Sequence, residues 1–466
     1  GAFFRFAGLF ENTFTADEAL FAMWARYIAT WRDPLLFEVP TAVDKPPLLF
    51  YLQGLFYPLQ GPVEWAARLP NFLSSLMLIP LVGTMGYKLT KGNAARGWLA
   101  AAIVAFSPLA IQFSATAFTD PLLTFLVTIA VWHSVTNREL LQKSALWLGI
   151  AFWSKYQAIL FVPLVWLMLW GYDVRKWDWR KLIRWSAVFG GCLVALFAWD
   201  AVSGGGIDLV SRQVSSYGGV TFTPAAELLP RLWEWVKLSL YVPGPAFLGV
   251  ILILTTWWQG PAKIFTTPYE YLQGAFSALI VFIAGFLLFH WLINIQPWDR
   301  YLLLLVPVFA LTVATFPRQL NLPYGCQKQR VWAIFLSLLF LTQAVLASNA
   351  FFPVGGRPDN DGGAAAIAQT IIDEPYGTVL YDHWYSWHWR YHFFWKGVYV
   401  EWFQETEDLV DNLEAFYDPN ASEVRYLALR VGDPFAAQIE SALKAEGYRL
   451  ELAAAEGRIE LYVIRK

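Results

Sequence analysis

Residues 144–172 read SALWLGIAFWSKYQAILFVPLVWLMLWGY, and the fold turns on how this stretch is divided. A bilayer-spanning helix needs about 20 apolar residues, so the run is too long for one simple span. It is interrupted at Ser154-Lys155. An ammonium group among apolar residues is costly unless it faces a cavity or a partner. We therefore divide the run into two short helices meeting at Ser154-Lys155, as in a broken hairpin. Further apolar runs lie near 64–87, 97–113, 119–135, 185–201, 240–258, 272–293, 301–316 and 331–352. With a partial helix at the start, the pattern predicts a polytopic α-helical membrane protein of about ten to twelve membrane segments.

Composition points the same way. Of 466 residues, 57% are hydrophobic and 15% charged, whereas a soluble protein carries about 25% charged residues. The 25 Trp fit many membrane–water boundaries, where Trp and Tyr concentrate. A net charge of −2 gives no support for nucleic-acid binding. Cys192 falls in an apolar run and Cys326 in a basic loop, so neither a disulfide nor a metal site is expected of them. The chain opens GAFFRFAGLF, without Met. This reads as the end of a membrane helix whose beginning is missing, in preference to the mature end left by a signal peptide.

Lys and Arg set the orientation. Lys88, Lys91 and Arg96 follow one run, Arg175, Lys176, Arg180, Lys181 and Arg184 another, and Arg318, Lys328 and Arg330 a third. The alternate loops near 114–118 and 294–299 carry none, and 202–230 has Arg212 alone. The basic loops are then cytoplasmic, and the outer loop 11–63, the 202–230 loop and the C-terminus lie on the opposite side. Dividing 144–172 in two preserves this alternation.

The outer loop has structure of its own. Residues 16–31 have helical spacing, and Pro46-Pro47 can start a second helix. Both are expected to lie along the membrane surface. From 353 the composition changes. Pro353, Gly355, Gly356, Pro358 and DNDGG at 359–363 read as a linker. Strand-like Thr378-Val379-Leu380-Tyr381, Val398-Tyr399-Val400 and Tyr426-Leu427-Ala428-Leu429 follow, with helical patterns at 404–417 and 434–446 and a strand pair near 448–453 and 458–464. The expected division is a transmembrane domain over 1–352 and a small extracytoplasmic α/β domain over 353–466.

Several polar residues are candidates for chemistry. Asp17-Glu18, in Thr15-Ala16-Asp17-Glu18-Ala19, fits a general base. It also fits a helix cap, with Thr15 or Asp17 capping 16–31. Lys45 in Asp44-Lys45-Pro46-Pro47, Lys155, and Arg300 in Trp298-Asp299-Arg300-Tyr301 are cations at or inside apolar segments. Snorkelling and local pairing explain Arg300 but not Lys155. Converging cations in a dry cavity suit a phosphate. Asp120 either caps its helix or orients a lysine or a sugar hydroxyl. The 202–230 loop, with Gly204-Gly205-Gly206 and Gly218-Gly219, reads as a flexible lid or an ordinary mobile loop. In DHWYSWHWRYH at 382–392, His388 and His392 have metal-ligand spacing, but the interleaved aromatics favour a docking surface.

The ordered set Asp17-Glu18-Ala19, Asp44-Lys45-Pro46-Pro47-Leu48, Glu64-Trp65-Ala66-Ala67-Arg68-Leu69-Pro70, Phe118-Thr119-Asp120 and Ser154-Lys155 resembles the C-type membrane glycosyltransferases. Within them it is similar to the group containing bacterial lipid A aminoarabinose transferases and protein O-mannosyltransferases. The resemblance covers roughly 1–350. It implies inverting transfer of a sugar from a polyprenyl-phosphate carrier to an acceptor hydroxyl, in a bacterial plasma membrane and outside the cytoplasm. Asp17 matches the family's essential acid, and Lys45 and Lys155 match lysines placed for the donor phosphate. Arg300-Tyr301 falls where a basic residue or tyrosine lies near that phosphate. Glu18, Asp44 and Asp120 take supporting places. Asp44 stands where the family more usually has Glu, the position that bears on a divalent cation; no cofactor is otherwise implied. The expected partners are the lipid-linked donor, membrane lipids and an acceptor, with other membrane subunits possible. The alternatives are a non-catalytic subunit of a larger complex or a transporter, for which an intramembrane Lys155 and a broken helix are also suited.

Overall fold

A computed structural model describes residues 1–39, 41–57, 63–136, 141–170, 178–204, 206–216, 218–247, 274–316, 326–415 and 424–466. The chain divides into two compact units, Gly1–Phe10 with Tyr27–Gly356, and Glu11–Arg26 with Arg357–Lys466.

The first unit is helical. Glu64–Leu89 packs against Ala94–Phe106 and Thr119–Thr136, and Leu141–Phe152 packs against Thr119–Thr136 and Trp179–Gly204. Small residues let the first pair close up: a Cβ on Gly97 would lie 2.9 Å from the Gly83 carbonyl oxygen. Glu64–Leu89, Trp179–Ser203 and Ala275–Leu292 are long and apolar enough to cross a membrane, and Ala94–Phe106, Thr119–Val135, Tyr156–Trp170 and Ile334–Ser348 are shorter apolar helices.

Breaks divide several apolar runs. The run 97–113 splits at Ser107, which accepts the Ala110 N–H and precedes Pro108 at the first turn of Pro108–Gln112. The run 144–172 splits at Ser154-Lys155, as its sequence indicates. Leu141–Phe152 ends, Lys155 is extended (φ −163°, ψ 141°), and a 3-10 turn Tyr156–Phe161 leads into Val162–Trp170. The run 301–316 opens as a 3-10 turn, Asp299–Leu304, before Leu305–Thr315. Residues 248–258 of the run 240–258, together with Gly205, Arg175, Lys176 and Arg318, lie outside the described residues.

Two segments expected to be loose are held. Within 202–230, Leu209–Ser216 is a helix, and the fully buried Asp200 accepts the Leu209 N–H at 2.8 Å and the Arg212 guanidinium at 2.6 Å. The linker glycines are also anchored. Gln112 donates to the carbonyls of Phe352 and Val354 (3.0 and 2.8 Å), and the Gly355 N–H donates to Asp299 at 2.8 Å. Gly355 has φ +66°, and a Cβ there would lie 2.9 Å from Gln112, so this close approach requires glycine.

The second unit contains a three-layer α/β body. The sheet order is β2-β1-β3-β5-β4, with β1 Val379–Asp382, β2 Tyr399–Trp402, β3 Arg425–Arg430, β4 Arg449–Glu456 and β5 Ile459–Arg465. β1 pairs in parallel with β2 and β3; β5 pairs antiparallel with β3 and β4. Alternate residues serve opposite faces. Leu380, Tyr426 and Ala428 join Ile367, Ile371 and Trp389, while Tyr381, Leu427 and Leu429 join Leu409, Leu413, Ile439 and Leu443. This explains the continuous apolar stretch of β3, which is covered on both sides.

Candidate active site

In the first unit the site grows from the break at 153–155. Because the helix stops there, its last backbone groups are open to other segments. The Trp153 carbonyl accepts the Leu48 N–H at 3.0 Å. That bond sets the Asp44-Lys45-Pro46-Pro47 turn beside Ser154-Lys155, with Pro47 at the cap of Leu48–Gly54. Ser154 donates to the Thr119 carbonyl at 3.3 Å, and Asn71 donates to the carbonyls of Thr116 and Phe118, both at 2.7 Å. Asp120 is thereby fixed at the start of its helix.

Lys155 Nζ then lies 2.7 Å from Asp120 Oδ1, with both residues buried (4% and 1% exposed). Of the two sequence readings of Asp120, the one in which it orients a lysine describes this contact. Lys155 Nζ is also 4.7 Å from the centre of the Tyr301 ring. Arg300 packs its guanidinium over Phe118 (4.9 Å) and Trp298 (5.0 Å). Asp299 accepts the N–H groups of Arg300 and Gly355 at 2.8 Å each. Burial pushes its carboxyl above the usual range, and these two bonds act in the opposite direction. Asp120, Lys155, Arg300 and Tyr301 are thus one cluster.

Lys45 pairs with Asp44, and Asp44 also accepts the Ser216 hydroxyl at 3.0 Å. Asp44 is therefore the point where the 202–230 segment meets the motif. Its carboxylate is engaged by an ammonium and a hydroxyl, and among the described residues no three His, Cys, Asp or Glu side chains are grouped to hold a metal ion. Among the described residues these side chains do not form a divalent-cation cage.

An apolar cavity of about 540 Å³ opens between Leu228–Ser239 and Ala275–Leu292, walled by Leu232, Trp235, Leu288, Trp291 and Phe309. Trp235 meets His290 (ring centres 5.5 Å apart), and His290 meets Tyr301 (5.7 Å). The cavity wall is thereby continuous with the Lys155 cluster.

Asp17 and Glu18 belong to the second unit. Thr15 and Glu18 form a capping box: Glu18 accepts the Thr15 N–H (2.9 Å) and hydroxyl (3.0 Å), and the Glu18 N–H points to the Thr15 hydroxyl (3.4 Å). Glu18 is buried, whereas Asp17 is exposed in the first turn. Capping is therefore the task of Thr15 and Glu18. His388 holds the Phe14 carbonyl through Nε2 at 2.9 Å. The helix Ser386–His392 buries His388, Trp389 and Tyr391, while Trp384 of the same aromatic run is exposed.

Sequence reasoning missed Asn71, Asp200 and Ser216. Asn71 and Asp200 carried a signal, each being a polar residue in or at the end of an apolar helix. Ser216 carried none, since its partner is 172 residues away.

Residues 44–199 match the family model described as dolichyl-phosphate-mannose-protein mannosyltransferase. No curated protein sequence matches the chain. The structure is similar to that of ArnT from Cupriavidus metallidurans bound to undecaprenyl phosphate, with a TM-score of 0.69 at 13% identity over 99% of this chain and 96% of the other. The apo state of ArnT gives 0.70 at the same identity and coverage. At this identity the likeness is one of fold. The family resemblance read from the motifs is borne out by both matches.

Proposed function

We propose that this chain is an integral membrane glycosyltransferase. It moves a sugar, with inversion, from a polyprenyl-phosphate carrier to an acceptor hydroxyl on a lipid, a glycan or a protein. The reaction takes place on the extracytoplasmic face of a bacterial plasma membrane, and the first unit supplies about ten to twelve membrane segments. Asp17 takes the proton of the acceptor hydroxyl. The acceptor oxygen bonds to the anomeric carbon, and the bond from that carbon to the lipid phosphate breaks. The electron pair stays on the phosphate. Lys45, Lys155 and Arg300 favour that growing charge over the ground state.

The supporting residues act through these four. Glu18 holds the helix that carries Asp17, Asp44 and Asp120 hold Lys45 and Lys155, and the Tyr301 ring backs Lys155. The apolar cavity suits an isoprenoid chain.

The buried Lys155–Asp120 pair carries the reading. Apolar residues of similar volume are often as stabilising as a buried ion pair, so stability alone gives weak grounds for keeping one. A cation needed by an anionic substrate gives a better reason. That ArnT was solved with undecaprenyl phosphate supports the same donor class.

The test is to incubate purified protein with a polyprenyl-phosphate-linked sugar and acceptor, and to measure free polyprenyl phosphate. Release that depends on Asp17 is expected. A transporter or an idle subunit would release none, and that result would sink the proposal.

A further inference from the structure

The carboxyl edge of the parallel strands in the second unit carries an unusual group of side chains. In open α/β sheets, ligands bind beyond the carboxyl ends of the strands, where the strand order reverses. The order β2-β1-β3 puts that point at β1. His383 and Trp384 follow β1, Trp402 ends β2, and Asp433 and Phe435 follow β3.

These residues converge on His383. Its ring stacks on Phe403 (5.5 Å, 29°) and meets the edges of Trp384 (6.0 Å, 87°) and Phe435 (5.5 Å, 63°). Its carbonyl accepts Trp402 Nε1 at 3.2 Å. Trp384 Nε1 donates to Asp433 at 2.9 Å, and the Arg430 guanidinium lies 5.5 Å from the Trp384 ring centre. Both indoles are thus fixed by their N–H groups. Nevertheless Trp384 is 52%, Trp402 46% and Phe435 44% exposed. Leaving such rings in water forfeits their burial, and a contiguous exposed apolar patch marks a binding surface. His383 Nδ1 lies 3.0 Å from the Phe403 carbonyl, so the proton sits there and Nε2 is left as an acceptor.

We propose that this edge is a carbohydrate-binding site for a neutral saccharide. The C–H faces of the sugar stack on Trp384 and Trp402, and a sugar hydroxyl donates to His383 Nε2. The electron-rich ring face attracts the polarised C–H groups of a sugar as it attracts other positive partners. A membrane surface fits less well. Interfacial Trp keeps its polar tip toward the headgroups, whereas both N–H groups here are spent on protein acceptors. The site belongs to the second unit alone and does not depend on the transfer chemistry.

The test uses full-length protein in lipid nanodiscs, with mannotetraose and chitotetraose as probes, read by saturation-transfer NMR and titration. Binding of at least one probe is expected. W384A and W402A should each weaken it roughly 2- to 10-fold, the range for losing one aromatic contact. W384F should retain most of it, which separates stacking from folding. Y376A, at a residue 90% exposed and outside the group, should bind as the parent does. Failure of the parent protein to bind either probe would overturn the site, as would unchanged binding in both Trp→Ala variants. Quenching of a fluorophore on W384C by brominated lipid would also overturn it, in favour of a membrane contact.

Discussion

Lys155 and Asp120 concentrate the account at the scale of single residues. Both are buried, and each neutralises the other. Removing one partner leaves an uncompensated charge. Lys155→Met should therefore cost about 3–5 kcal/mol of stability, while Lys155→Met with Asp120→Leu should recover most of it. The recovered double variant should still be inactive, because the cation is gone. Thermal unfolding in detergent and the release assay check the two halves, and an active double variant would remove the phosphate role of Lys155. Asp17 and Glu18 separate in the same way. Thr15→Ala should cost about 1 kcal/mol through loss of the cap. Asp17→Asn should leave stability near that of the parent and abolish transfer. The break at Lys155 was legible because a lysine interrupts an apolar run. The capping box was legible in its spacing, but which residue caps the helix was not, because side-chain direction is set by the fold.

Helices and strands were legible wherever local periodicity decides them. The five strands of the C-terminal body and its helices Thr406–Ala415 and Ala436–Ala445 fall close to their predicted positions, since apolar alternation and turn residues report nearby structure, whereas the helices Ala364–Ile371 and Ser386–His392 were not predicted. The anchored segments were not legible. Gly355 reads as linker until Gln112, 243 residues earlier, is seen against it; Gln112 binds Val354, 242 residues away. Gly355→Ala should cost roughly 1–3 kcal/mol from strain at positive φ, seen as a lowered Tm. The helix Ser386–His392 predicts a pH effect. Burial holds the His388 imidazole below its ordinary value, outweighing the Phe14 carbonyl and Asp361, which act upward. The folded state then binds fewer protons, so stability is full above about pH 6.5 and falls as the pH drops through the lower folded value. Burial pushes Asp382 up to about 6, which has the opposite slope: its contribution is lost as the pH rises toward 6. His388→Gln, which keeps a donor for Phe14, should therefore gain stability relative to the parent as the pH is lowered from 7 to 5. Hydrogen exchange in this helix measures it, and a constant difference across that range would refute it.

For the whole molecule, composition and positively charged loops describe a membrane protein with a small α/β body. The grouping of Glu11–Arg26 with Arg357–Lys466 has no local signal, because it rests on contacts such as Thr13 with Asp361, 348 residues apart. The Lys155 break, the adjoining Asp44-Lys45 turn and the Arg300 cluster share one unit, and the proposed function takes them together as a site for a lipid phosphate. That claim is tested most directly by solving the structure with polyprenyl phosphate bound. The account predicts phosphate density within about 2.7–3.2 Å of Lys45 Nζ and Lys155 Nζ. Phosphate density elsewhere, in contact with neither lysine, would contradict it.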